Sequence, residues 1–191
     1  MSKTVAASPQ ALAQAILPRD ANRRRLLRWT GVALAALGAA ALGAPQLGHF
    51  AIGALAGWLL WLAGALMCGA VVLLLPGKTT FAAGLASGLA AVAVGAYLMF
   101  SPRTGALAVS LLAAAVFIVD GAFQLALALD LRPVRVWRWV FASALASGLA
   151  AVALATGVVG GSSEAFGAAA GVAVLTSGLA LFALSLRRAE P

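Results

Sequence analysis

Residues 105–129 read GALAVSLLAAAVFIVDGAFQLALAL, an apolar run interrupted by one ionisable side chain, Asp120. A helix rises 1.5 Å per residue, so about 20 residues cross the ~30 Å hydrocarbon core of a bilayer. This run is long enough to do so. Inside lipid no water can satisfy backbone N–H and C=O groups, and an unbroken spanning segment must bond them within itself as a helix. The run also lacks the strict apolar/polar alternation of a transmembrane barrel strand.

Five further runs of the same character lie at about 27–43, 50–75, 81–100, 137–158 and 166–186. They are separated at Pro45, Pro76-Gly77-Lys78, Ser101-Pro102-Arg103, Arg132-Pro133 and Gly160-Gly161-Ser162-Ser163-Glu164, the residue types of tight turns. The whole chain is 63% hydrophobic and 9% charged, with a mean hydropathy of +1.04. A soluble domain is roughly 45–50% apolar and about 25% charged. The expected fold is therefore all-α and polytopic, with six transmembrane helices in residues 26–188. Residues 1–25 are polar and carry only a weak apolar side at Leu12, Ile16 and Leu17; a disordered or membrane-surface segment is expected there.

The net charge of +8 does not point to nucleic acid, because the basic residues flank apolar runs instead of sharing one face. Lys3, Arg19, Arg23, Arg24, Arg25, Arg28, Lys78, Arg132, Arg135, Arg138, Arg187 and Arg188 fall on one side of six alternating spans, and Arg103 alone falls on the other. The positive-inside rule places the first side, with both termini, in the cytoplasm. Trp29, Trp137, Trp139 and Phe81 are expected as anchors at that interface, and Phe50, Phe100 and Phe166 at the outer one. Trp58 and Trp61, i and i+3 within the second run, are expected to serve helix packing or lipid contact.

The spans repeat. Gly31, Gly38, Pro45, Gly48 and Gly64 recur 57 residues later as Gly88, Gly95, Pro102, Gly105 and Gly121, and Gly121 maps onward to Gly178. Ser87-Gly88-Leu89-Ala90-Ala91-Val92-Ala93 returns as Ser147-Gly148-Leu149-Ala150-Ala151-Val152-Ala153. The expectation is three tandem helical hairpins, at about 27–75, 81–129 and 137–186, all in one orientation and thus unlike inverted-repeat transporters. The third copy is degenerate, with Ser162 in place of the proline and Ala155 in place of Gly38 and Gly95. A duplicated first span also argues against a removable signal segment. Gly53/Gly57, Gly84/Gly88, Ser143/Ser147, Gly157/Gly161 and Gly167/Gly171 are small residues at four-residue spacing, which lets helix backbones approach closely.

Candidate chemistry is sparse. Asp120 is the one charge deep in a span, and such residues face a bundle interior or a wet cavity. Gln124 lies one turn on, along the same face. Without a buried cation nearby, the acid is expected to be neutral, donating to a backbone carbonyl or a Ser/Thr of another helix. Its repeat equivalents are Ala63 and Ser177, which weakens any symmetric three-site pore. Gly77-Lys78-Thr79 imitates the end of a phosphate-binding loop, but position 72 is Val and no strand precedes it. His49 and Cys68 are single, so neither a disulfide within the chain nor a metal centre is expected, and no cofactor. No nucleophile–base set or carboxylate pair is present, and an enzyme is not expected.

The hairpin pattern, Gly38 to Pro45 with Gly64 and Gly95 to Pro102 with Asp120-Gly121, resembles the HdeD family of small bacterial membrane proteins over residues of about 25–188. That resemblance implies an inner-membrane protein with a role in acid and stress resistance and supplies no catalytic residues. Two alternatives stand beside it. One is a small transporter or proton-linked channel using Asp120, and the other is an assembly partner, or a homo-oligomer, binding through small-residue faces in the lipid bilayer.

Overall fold

The computed structural model describes residues 21–43, 52–74, 79–101, 104–132, 134–157 and 163–186. Pro45, Gly48, His49, Phe50, Lys78, Pro102, Arg103 and Ser162 lie outside the described residues, as does the N-terminal segment up to residue 20. The described residues form six α-helices and no strand: α1 Ala21–Gly43, α2 Ile52–Leu74, α3 Thr79–Phe100, α4 Ala106–Asp130, α5 Trp137–Ala155 and α6 Ser163–Ser185. Each is long and apolar enough to cross a membrane. The chain is a multi-pass membrane protein by that measure.

The first helix starts earlier than its apolar run, at Ala21, so Arg23, Arg24 and Arg25 form its opening turns. Arginine is a good helix former, and water outside the hydrocarbon accepts the charge. Between α4 and α5 the chain turns in a few residues, with Val134 N–H donating to the Leu131 carbonyl at 2.8 Å and Trp137 N–H to Val134 at 2.9 Å. After α5, Gly157 takes φ of 71°. A helix commonly ends on such a left-handed residue, and glycine adopts it without a Cβ penalty.

Each helix touches its neighbour in sequence, and α6 returns to pack on α1, closing a ring of six. The closest pairs are not those consecutive within the expected hairpins. They are α1 with α6, α2 with α3, and α4 with α5. The second helix of each repeat thus packs most intimately on the first helix of the next.

Glycine makes two of these seams. In α2–α3, Gly57 faces Gly95 and Gly64 faces Gly88; a Cβ built on Gly64 would lie 2.7 Å from the Gly88 carbonyl oxygen. In α1–α6, Gly31 faces Gly178 and Gly38 faces Gly171; a Cβ on Gly31 would lie 2.7 Å from the Phe182 backbone nitrogen and 2.9 Å from the Gly178 oxygen. Both seams are antiparallel, with contacts one heptad apart, so the backbones touch over two turns. The positions also correspond through the repeat. Gly57, Ala114 and Gly171 are spaced by 57 residues, as are Gly64, Gly121 and Gly178.

The α4–α5 seam is the variant. Ala114 stands in place of Gly57 and Gly171, and Ala155 in place of Gly38 and Gly95. Ala114 is buried, whereas Ala155 is exposed. A Cβ on Gly121 would meet its nearest atom, the Ala144 oxygen, at 3.3 Å, and one on Gly148 would meet nothing within 4 Å. By these distances the backbones approach less closely at this seam than at the other two.

Trp29, Trp139 and Phe100 are strongly exposed, as interfacial anchors should be, while Phe81 and Trp137 pack partly against the core. Phe166 departs from expectation: it is fully buried, not at a lipid interface. Its position near the start of α6 points it into the ring, and span-end position alone does not distinguish inward from outward. Trp58 and Trp61 meet edge-on at 6.4 Å on the exposed face, where lipid contact accounts for them.

The seam geometry predicts unequal tolerance to one methyl group. Gly31→Ala and Gly64→Ala are expected to lose stability on the scale of core overpacking, typically about 1–3 kcal/mol, because the added carbon meets backbone. Gly148→Ala should be neutral or slightly stabilising, since alanine favours helix by up to about 1 kcal/mol. Unfolding of the purified chain in micelles measures the difference; equal losses at all three positions would contradict the seam assignment.

Candidate functional site

Asp120 lies ten residues from Asp130 at the end of α4, about 15 Å along the helix, near the middle of the hydrocarbon. It faces inward, where α3, α5 and α6 each bring a hydroxyl. The Ser147 hydroxyl on α5 donates to Asp120 Oδ2 at 3.0 Å. Gln124 Nε2, one helical turn on, donates to the same oxygen at 2.5 Å, and Ser87 on α3 lines the cavity beside the carboxyl. Gln124 Nε2 also donates to Ser177 Oγ on α6 at 3.0 Å.

The proton count around Ser177 is complete. Its hydroxyl hydrogen goes to the Ala173 carbonyl at 2.9 Å. At the Ser143–Ser177 contact of 3.1 Å, the donor must then be Ser143 on α5. Ser177 Oγ therefore accepts from Gln124 and Ser143 and donates once, filling its capacity. Ser87, Ser143, Ser147 and Gln124 are all nearly inaccessible, with Gln124 at 3% exposure. Three helices, α4, α5 and α6, are thereby joined at one depth.

Asp120 and Gln124 do come together as read from their spacing. The carboxyl also meets a serine of another helix, Ser147, and no backbone carbonyl is among its hydrogen-bond partners. Among the described residues no Lys or Arg reaches the cluster, and no group of three His, Cys, Asp or Glu is assembled for a metal.

Two small cavities flank the cluster. One, of about 40 Å³, is bordered by Ala63, Ser87, Asp120 and Ser177, with Leu34 and Phe117 among its apolar walls. The repeat-equivalent residues Ala63, Asp120 and Ser177 thus converge on one space, the centre of the ring. The second, of about 30 Å³, lies toward the ends of α2 and α6 and the start of α5, against Gln124 and Ser177. Neither has room for more than a few water molecules.

The sequence reading missed the serines as a group. Ser143 and Ser147 stood out only as small residues, Ser87 as part of a repeated run, and Ser177 as the counterpart of Asp120. The repeat held the missing signal, because equivalent residues of a ring-closed repeat meet at its axis. Gly38, Gly64, Gly95, Gly121 and Gly178 instead lie in the seams and serve packing.

A family model described as a short repeat of unknown function, DUF308, matches residues 86–156. This is the domain family that includes HdeD-like membrane proteins. The matched stretch runs from α3 to the end of α5 and contains Ser87, Asp120, Gln124, Ser143 and Ser147. No curated protein and no solved structure matches the chain.

A double-mutant cycle on Asp120→Asn and Ser147→Ala is expected to give a coupling near the average for hydrogen bonds between membrane helices, about 0.6 kcal/mol and at most about 1.7. Ser110→Ala, which removes a buried hydroxyl without a partner, should cost nothing by the same unfolding measurement.

Proposed function

We propose that this chain is an HdeD-like protein of the bacterial inner membrane, with both termini cytoplasmic, that supports acid and stress resistance as a membrane-embedded structural protein and not as an enzyme. The observation that carries this reading is the closure of the polar cluster. Asp120 is held by donors from its own helix and from α5, at the centre of a ring, and the two cavities beside the cluster admit only a few waters. Such a cluster fastens helices and offers no path for a solute. The repeat-family match over residues 86–156 supports the family reading, and the distribution of basic residues supports the orientation.

The proton-linked alternative draws on one observation, the cavity directly against Asp120. The assembly-partner alternative is weakened, because Gly57, Gly88 and Gly171 are covered by neighbouring helices of the same chain.

Complementation of a deletion strain and flux into liposomes separate these readings. Wild type and Asp120→Asn are both expected to restore acid survival, and neither should carry protons above the level of empty liposomes. Proton flux that disappears in Asp120→Asn would replace the structural reading with the channel. Reporters fused after residue 188 and before residue 1 should both read cytoplasmic.

A further inference from the structure

We propose that the cavity at the centre of the ring is a water-binding site, organised by the second oxygen of the Asp120 carboxyl and by Ser87. The inference starts from the uneven use of the carboxyl. Gln124 and Ser147 both donate to Oδ2, and Oδ1 takes part in neither bond. Yet Oδ1 is not sealed away. Among the described residues, the polar side-chain atoms buried without a partner are Arg24 Nε, Ser110 Oγ and Gln124 Oε1, and Oδ1 is not one of them. Asp120 keeps accessible surface while Ser87, Gln124, Ser143 and Ser147 around it are covered, and it borders the 40 Å³ cavity.

Oδ1 needs a partner in either state of the acid. Ionised, it accepts and calls for a donor. Neutral, the carboxyl carries its hydrogen on Oδ1, because Oδ2 already faces two donors, and it then calls for an acceptor. Water meets both requirements. An acyl chain meets neither, and a buried polar atom left unpaired is costly.

The cavity supplies the rest of a water site. A bound water needs two to four polar partners, and Ser87 borders the same space as Asp120. Its hydroxyl has one donor and two acceptor sites, so it serves a water whichever way it turns. Ser177 also borders the space, but its capacity is filled. Roughly 10–15 Å³ by this measure accommodates one water, so the cavity takes roughly three. One bonds Oδ1 and Ser87, and the others complete its bonds where Leu34, Leu60 and Phe117 cannot. A calcium or magnesium ion does not fit, since each takes at least about six oxygen ligands and Gln124 and Ser147 turn their hydrogens toward Oδ2. The ligand class is therefore water, and the inference is independent of any role in acid resistance.

The test uses the full-length chain in lipid bilayers with isotope-labelled aspartate and valine, and bulk water itself is the probe. Water-edited solid-state NMR follows magnetisation passing from water to the Asp120 carboxyl carbon, assigned by its loss in Asp120→Asn. Transfer is expected several-fold faster than to Val174, which is buried near the middle of α6 and lines neither cavity of the cluster. Ala63→Val, which fills the cavity from α2, should slow transfer to the Val174 level. Should that variant fold poorly, Ala91→Val fills the same space from α3. Transfer to wild-type Asp120 as slow as to Val174, or transfer unaltered by filling the cavity in a folded variant, would overturn the proposal.

Discussion

Backbone contact between helices is the constraint on which the rest of this structure depends. In lipid, apolar side chains gain nothing by leaving hydrocarbon for one another, so helices associate through close packing and hydrogen bonds. Here the closest approach is made twice by paired glycines, in α1–α6 and in α2–α3, where an added Cβ would collide with main-chain atoms. Those two seams fix the spacing and register of four helices. The seam between α6 and α1 also closes the ring, tying the first described helix to the last.

The third seam shows what changes when the glycines are lost. With Ala114 and Ala155 at the corresponding positions, α4 and α5 stand further apart, and Gly148 faces open space. Across this wider seam, side chains replace backbone contact as the joining element. Ser147 reaches Asp120 from α5, and Ser143 and Gln124 reach Ser177 on α6. Polar bonds between membrane helices are individually modest; their value here is directional, because several donors converge on two acceptors at one depth. The polar cluster and the seam's irregularity are therefore parts of one arrangement, and the acid's presence in only one repeat follows the seam's own departure from symmetry.

The same geometry changes the meaning of the small-residue patterns. Gly84, Gly88, Gly57 and Gly171 could have served a partner chain, since a stripe of small residues looks alike whether its mate is within the chain or outside it. In the folded molecule these positions meet Phe123, Cys68, Met99 and Leu42. The lipid-facing surface left over is made of large apolar side chains such as Leu107, Leu149 and Val152.

What the sequence determined by itself was whatever depends on local physics. Six apolar runs of spanning length had to be helices, because no other backbone satisfies itself in lipid, and Asp120 with Gln124 had to share a face at their spacing. The repeat was legible too, from Gly31, Gly88 and Gly148 and from the recurring Ser-Gly-Leu-Ala-Ala-Val-Ala run. Tertiary structure alone decided which helices pair across the repeats, that Phe166 turns inward, and which hydroxyls meet the acid. Those outcomes depend on the rotation of each helix about its axis and on ring closure between α1 and α6. Both are set by contacts between residues on different helices, from Gly64 facing Gly88 to Gly31 facing Gly178. A span of nearly uniform hydrophobicity carries little amphipathic signal to announce such a rotation in advance.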